Sequence, residues 1–333
     1  MTEVAPLRSP SAGGGRSSLT DWHRAVERLN SDTSVEAGLA FERGEVASAR
    51  DFVWRPLAAV VRMLLSGHRR ERFSAAVLAG YREVVRAGKL WEIEMLWRQR
   101  NLTTWRRGRA SVWVQREWRD SLGGILVAGD GDAVAGGRGA TQRVKTDRGP
   151  VIVRRFRRGG AMRWLGRTYF GLRTRPFTEF AVLLRARRLG LPVPEPIGAI
   201  VERRWRIGYH GALVMSEISG GTPILEFVRN HPEVDIASAL APGLRRLHDA
   251  GLHHPDLNLG NLLVLDRSGG PTVAFVDLDR ARLTRGPLGT RARRRSLRRL
   301  WRSTRKLDPE GRILSARSLE RVEELYWAEP RPV

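Results

Sequence analysis

The sequence predicts a mixed α/β chain, with an N-terminal helical segment followed by a two-lobed α+β domain. Three observations carry this reading. Residues 19–98 hold apolar stretches at helical spacing. A glycine-dense stretch from Gly123 to Gly139 marks a change of composition. Beyond it, short apolar strands alternate with amphipathic helices. The 333 residues suffice for about two domains with a sizeable core. With 41% hydrophobic and 28% charged residues, the profile is globular.

Residues 1–18, rich in Ser, Gly and Pro, are expected to be a disordered tail. Residues 19–129 read as a helical, membrane-associating appendage. Thr20-Asp21 can cap a first helix through Trp22, Val26 and Leu29. Pro56 suits the first turn of a second, PLAAVVRMLLSG, ending at Gly67. A third, FSAAVLAGYREVVRAGKLWEIEMLW, runs to about Trp97. Arg55, Arg62, Arg69, Arg70 and Arg72 break up the apolar residues, which suits either a small bundle or helices lying on a membrane surface. Residues 99–133 read as a connecting region in which Trp105, Trp113 and Trp118 interleave with arginines. Core or membrane-interface packing explains them better than single-stranded nucleic acid. The domain boundary is expected near residues 125–130.

The catalytic domain is expected over 130–310. Its first unit is strand, turn, strand: QRVKT, DRG, PVIVRRF. A helix follows from about Pro176 to Arg188, with Phe177, Phe180, Ala181 and Leu184 on one face and Gly190 as cap. LPVPEPIGAIVERRW and YHGALVMSEI supply strands. A helix carrying Leu240, Leu244 and Leu247 ends at Gly251, and LLVLD and TVAFVDLD are two more short strands. Residues 311–333 read as a C-terminal helix and tail.

The net charge of +24 is almost all arginine, since Lys89, Lys145 and Lys306 are the lysines. Such a balance favours anionic partners. The absence of cysteine excludes disulfides, thiolate metal sites and cysteine nucleophiles. No apolar run reaches the roughly 18 residues of a membrane span, and MTEVAPLRSPSAGGGRSS has no apolar signal core. The expected address is therefore the cytoplasm.

The chemistry concentrates in HHPDLNLGNLLVLDRSGGPTVAFVDLD, residues 253–279. His254-x-Asp256 is followed five residues later by Asn261 and then by Asp277 at the end of an apolar strand. Phosphoryl transfer to a hydroxyl needs one carboxylate to orient the hydroxyl, and a second carboxylate with an amide oxygen to hold Mg²⁺. Asp256 fits the first role; Asn261 and Asp277 fit the second. The whole order predicts a protein-kinase-like core using ATP and Mg²⁺. A structural or calcium-binding carboxylate loop is the plainer alternative. Upstream, Gly137 and Gly139 supply a partial glycine-rich turn for phosphates. Arg154 stands on the third strand with Glu179 as the acid of the next helix, and Arg155 points to the opposite strand face as a competitor. Glu217 falls where an inter-lobe linker meets adenine.

These residues resemble the Kdo kinase group of the lipopolysaccharide kinase family. The resemblance rests on GRGATQRV, VIVRRFRRGG, FTEFAVLLRARRLGLPVPEPIG, HHPDLNLGN and FVDLDRARL, over about residues 134–305. It implies ATP-dependent phosphorylation of the 4-hydroxyl of Kdo on a lipid A-type acceptor, at the cytoplasmic face of the inner membrane. It accommodates an arginine at position 154 and puts Asn258 where protein kinases carry a loop lysine. In this fold His254 normally braces the loop while Asp256 meets the acceptor. Asp279 stands in place of the DFG glycine, so no flipping switch is expected. Residues 52–92, FVWRPLAAVV through AGKLWE, resemble the membrane-associating tail of family-2 lipopolysaccharide-core glycosyltransferases.

The run RARRRSLRRLWRSTRK, residues 291–306, carries nine basic residues and no acid. It reads either as a solvated helix face or as a surface for anionic headgroups or lipid A phosphates. Arg157, Arg158 and Arg163 have the same two readings. Neither a nucleic acid nor a protein partner is inferred. A heptose or aminoglycoside-type kinase would use the same loop. A membrane- or nucleic-acid-binding pseudokinase would account for the charge but has no use for an intact Asp256–Asn261–Asp277 set.

Overall fold

A computed structural model describes residues 19–43, 45–65, 72–127, 132–133, 141–156, 169–170, 174–203, 208–284, 286–311 and 313–328. The expected disordered tail, Gly137, Gly139, Arg157, Arg158 and Arg163 lie outside the described residues. The chain divides into two compact units between Arg100 and Asn101.

The first unit contains α1 (Leu19–Glu42), α2 (Ala49–Leu65) and α3 (Arg72–Asn101). Ala37 and Ala40 of α1 and Leu90 of α3 are buried together, with Phe41, Ala47 and Ile93 packed against them. Polar contacts fix the pairing. Lys89 donates to Thr33 Oγ1 at 3.1 Å and Ser34 Oγ at 2.7 Å, and Arg86 pairs with Glu45 at 3.1 Å. Asp51 accepts from the Ser48 N–H and hydroxyl, both at 2.7 Å, which satisfies donors at the start of α2. Pro56 lies inside α2 instead of opening it, because this cap starts the helix at Ala49. A Cβ on Gly80 would come within 2.7 Å of Val60 Cγ2, so the glycine sets the approach of α3 to α2. The bundle leaves Val53, Trp54, Leu57, Val61 and Leu65 of α2 exposed.

The second unit opens with a β-hairpin, β1 (Leu102–Arg107) and β2 (Ala110–Gln115), turning at Gly108 with φ of 57°. These residues were expected to connect domains. Instead β2 pairs antiparallel with β7 (Pro196–Arg203), so the hairpin belongs to the main sheet. Val112 and Val114 point into the core, where Trp118 and α4 (Leu122–Val127) also lie. The boundary therefore falls 22 residues before the start of the glycine-dense stretch at Gly123. The remaining strands are β3 (Asp132–Ala133), β4 (Thr141–Val144), β5 (Val151–Arg155), β6 (Tyr169–Phe170) and β8 (Gly208–Ser216). The sheet order is β1-β2-β7-β8-β5-β4-β3, with β6 paired to β8 and every pair antiparallel. The helix α5 (Arg175–Arg188) packs on this sheet, and Trp113 stacks on Phe177 at 4.6 Å.

The second lobe is mainly helical: α6 (Ile224–Asn230), α7 (Ala237–Asp249), α8 (Thr290–Leu307) and α9 (Ala316–Trp327). Two small sheets join them. β9 (Gly221–Pro223), β11 (Leu262–Leu265) and β12 (Thr272–Phe275) form one in the order β12-β11-β9. β10 (Leu252–His253) and β13 (Arg282–Leu283) form the other. The helix α7 ends at Gly251, whose φ of 76° leaves no room for a side chain: a Cβ there would sit 2.4 Å from Gly286 O. Residues 316–327 form the expected C-terminal helix, but it is part of this core and not separate from it. Val322 and Tyr326 are buried, and the Tyr326 hydroxyl lies 2.7 Å from His248 Nδ1, whose Nε2 meets Ser296 Oγ at 3.0 Å. Burial and neighbouring Arg293 push His248 down to about 4, so the ring stays neutral in this network.

Candidate active site

Strand alternation in β5 sends Val151 and Val153 into the sheet core and Arg154 to the opposite face. Arg154 ion-pairs with Glu179 of α5 and, through its other terminal nitrogen, with Asp277 beyond β12. Its guanidinium carbon stands 5.0 Å from the Phe156 ring, and that of Arg175 stands 5.4 Å from the same ring. Arg155 donates instead to the Leu126 carbonyl at 2.8 Å. Of the two strand arginines, position 154 is the one paired with carboxylates.

The electrostatics of this cluster follow from burial. The Glu179 side chain is 3% exposed. Desolvation raises its carboxyl to about 7; Arg154 and Arg175 lower it, and Asp279 and Asp277 raise it further. Burial alone would lower the Arg154 guanidinium, but Glu179, Asp277 and Asp279 outweigh that and hold it charged above its ordinary value. Asp277 itself is 46% exposed and sits at φ 54°, in the left-handed region that aspartate tolerates at a cost.

The loop after β10 is held by its own polar groups. His254 is buried; its Nδ1 accepts from the Asp256 N–H at 3.3 Å and its Nε2 faces Val276 O at the same distance. Those partners specify the Nε2–H tautomer. Desolvation lowers the His254 pKa, favouring the neutral ring. His254 is thus a brace within the loop. Both amides, Asn258 Nδ2 and Asn261 Nδ2, donate to the Asp256 carbonyl at 2.9 Å. Asn258 is occupied in shaping the turn. Asn261 spends its amide nitrogen there, which leaves Oδ1 as its acceptor. The Val276 N–H donates to Asn261 O at 3.0 Å, so the β11–β12 hairpin returns Asp277 beside the loop. The Asp256 carboxylate is exposed.

Two pairs were not anticipated. Arg175, at the start of α5, grips Asp279 with two guanidinium nitrogens, Nε at 3.2 Å. This ties α5 to the segment carrying Asp277 and gives Asp279 a structural partner. Arg143 of β4 holds Glu217 in a fork, with Nε at 2.9 Å and Nη2 at 2.8 Å. Glu217 was expected to meet adenine; its carboxylate is committed to Arg143, and its N–H to the Pro150 carbonyl at 3.1 Å. Basic partners at positions 143 and 175 give no local signal, because each partner lies far along the chain.

Ion pairs and loop hydrogen bonds thus link Arg154, Glu179, Asp277, Asn261 and Asp256. A family model described as Lipopolysaccharide kinase (Kdo/WaaP) family matches residues 130–326. The chain is 35% identical over 196 residues to a 3-deoxy-D-manno-octulosonic acid kinase of Xylella fastidiosa strain 9a5c, covering 57% of this chain and 76% of that protein. It is 32% identical over 206 residues to a protein of the same description from Xanthomonas oryzae pv. oryzae strain PXO99A, covering 61% and 77%. Among solved structures, it is similar to a chain of "WaaP in complex with acyl carrier protein", with a TM-score of 0.41, 19% identity, and coverage of 57% and 75%.

Proposed function

Because the chain belongs to the lipopolysaccharide kinase (Kdo/WaaP) family, we propose that it transfers the γ-phosphoryl group of ATP to the 4-hydroxyl of Kdo on a lipid A-type acceptor. The observation that carries this reading is the exposed Asp256 carboxylate, presented by a loop whose main chain is fixed by Asn258, Asn261 and His254. Asp256 accepts the hydrogen bond of the acceptor hydroxyl and orients its oxygen. Asn261 Oδ1 and the Asp277 carboxylate are hard oxygen donors suited to Mg²⁺. Among the described residues no three His, Cys, Asp or Glu side chains cluster at metal spacing. Two protein ligands suit an ion that keeps phosphate and water oxygens. Arg154 holds the α/β-phosphates and Glu179 fixes Arg154. The buried Nε of Arg154 has no acceptor among the described residues, in keeping with a cation whose anion arrives with the nucleotide. Mapping the phosphate on the product by phosphorus–proton correlation tests the position: coupling to H4 of Kdo is expected, and coupling elsewhere contradicts it.

The pH dependence follows from Glu179. Its folded value of about 7 exceeds its ordinary value, so the folded protein takes up a proton between them. This group's contribution to stability therefore declines as pH rises through that window. The Arg154–Glu179 pair, in contrast, is fully charged only above it. The KM for ATP is expected to fall as pH rises from 6 to 8, with an inflection near 7 that Glu179→Gln removes. A flat profile in the wild type contradicts the assignment.

An amphiphilic acceptor asks the enzyme to work at a membrane. No described helix is long and apolar enough to cross one. The exposed α2 residues Val53, Leu57 and Val61 recur every four positions, with Trp54 and Leu65 adjoining, which supports peripheral docking through this face on the cytoplasmic side of the inner membrane. Leu57→Asp with Val61→Asp is expected to weaken binding to anionic vesicles by about tenfold or more. Turnover on a detergent-dispersed acceptor is expected to stay unchanged. Undiminished vesicle binding in a sedimentation assay removes α2 from the role.

A further inference from the structure

The surface of α8 carries a cavity of about 530 Å³, half open to solvent and lined by Arg295, Arg298, Arg299, Trp301, Arg302 and Arg305. The five arginines recur at three- and four-residue spacing and so form one stripe. Ser296, Leu297, Leu300, Trp301 and Thr304 anchor the helix in the core. Among the described residues, none of the five guanidinium groups has a carboxylate within ion-pair distance, whereas Arg293 of the same helix pairs with Asp249 at 2.5 Å. Like charges four residues apart, as at 295/299 and 298/302, destabilise a helix. An anion bound across them would remove that repulsion.

The position of the cavity connects it to the loop that carries Asp256. Ser303 of α8 accepts the Leu259 N–H at 3.2 Å, so the helix packs directly on the turn between Asp256 and Asn261. Burial, then the charges of Arg299 and Arg282, lower the pKa of His253, which places Arg299 in electrostatic reach of residues leading into the loop. Guanidinium groups bind phosphate oxygens in pairs through their planar fork, and a concave site with a tryptophan wall suits a compact saccharide phosphate better than a flat bilayer.

We infer that the arginine cavity of α8 binds a phosphomonoester carried by the acceptor and so sets how the saccharide lies on the catalytic loop. This rests on the phosphotransferase reading above and adds the recognition of its substrate. The test uses the full chain, the double variant Arg298→Gln/Arg302→Gln, and a charge-matched control, Arg291→Gln/Lys306→Gln, outside the cavity. Thermal unfolding checks that each variant is folded. Calorimetry without nucleotide measures binding of a lipid-free diglucosamine bisphosphate, the unphosphorylated disaccharide, inorganic phosphate and phosphatidylglycerol vesicles.

The wild type and the control are expected to bind the phosphorylated disaccharide at least about tenfold tighter than the unphosphorylated one, a preference the cavity variant loses. In the transfer assay, the cavity variant is expected to show about a tenfold higher KM for the phosphorylated acceptor, with kcat and the KM for ATP unchanged. Equal loss in the control makes the effect one of net charge and overturns the inference. So does vesicle binding that falls in the cavity variant while disaccharide binding does not. Inorganic phosphate binding as tightly as the disaccharide phosphate overturns acceptor recognition. Cavity-dependent disaccharide binding without transfer to any acceptor would sink the kinase reading and leave the phosphate site standing.

Discussion

Asp256→Asn is expected to lower kcat by about 10²–10⁴-fold while leaving the fold and the KM for ATP intact. The separation follows from which atoms of Asp256 hold the loop. Its carbonyl accepts both asparagine amides and its N–H reaches His254, so the main chain carries the order of the turn. The side chain points outward. An isosteric amide preserves every loop contact and removes only the charged acceptor for the substrate hydroxyl. Steady-state kinetics beside thermal unfolding make the check. Near-normal turnover removes Asp256 from the role; a large drop in unfolding temperature assigns the carboxylate to structure instead.

Arg154→Gln is expected to act on both stability and catalysis. Removing one partner of a buried pair typically costs about 3–5 kcal/mol, because the remaining charge loses its compensation. Here that charge is Glu179, which is 3% exposed and already raised to about 7. Without Arg154, Glu179 keeps its proton to higher pH. The stability difference from the wild type is therefore expected to be smaller at pH 6 and to widen above pH 7. Denaturant titrations at pH 6 and 8 measure it. Loss of a fixed cation beside the phosphates is expected to lower kcat/KM for ATP by about 10²–10³-fold. A pH-independent stability change would show that Glu179 does not share its charge with Arg154.

The proximity of Asp256, Asn261 and Asp277 was legible in the sequence because it is local. Asp256, Asn261 and Asp277 fall within 22 residues, and one hairpin joins them, so spacing alone brings them together. Arg154 could be separated from Arg155 by strand alternation, since the two must face opposite sides of β5. Contacts across long stretches of chain were not legible. Arg175 and Asp279 are 104 positions apart, and Arg143 and Glu217 are 74 apart. The hairpin of residues 102–115 did carry a signal: Val112, Trp113 and Val114 form a β-branched and aromatic run, and Gly108 supplies the turn. Its arginines and tryptophans read more strongly as a linker, because pairing with β7, 84 to 92 residues onward, is what makes it a sheet element. The same holds for α9, whose Tyr326 finds its partner His248 only in the folded lobe.

The proposed transfer of phosphate to a Kdo-bearing acceptor rests on the Asp256–Asn261–Asp277 set. The direct measurement incubates the purified chain with Mg²⁺ and γ-labelled ATP, offering Kdo-lipid A, lipid A lacking Kdo, and a heptose-bearing core, with Asp277→Ala in parallel. Label is expected on the Kdo-lipid A acceptor, with none on lipid A lacking Kdo and none in the Asp277→Ala reactions. Label on the heptose core alone would move the substrate, and equal labelling by Asp277→Ala would contradict the site itself.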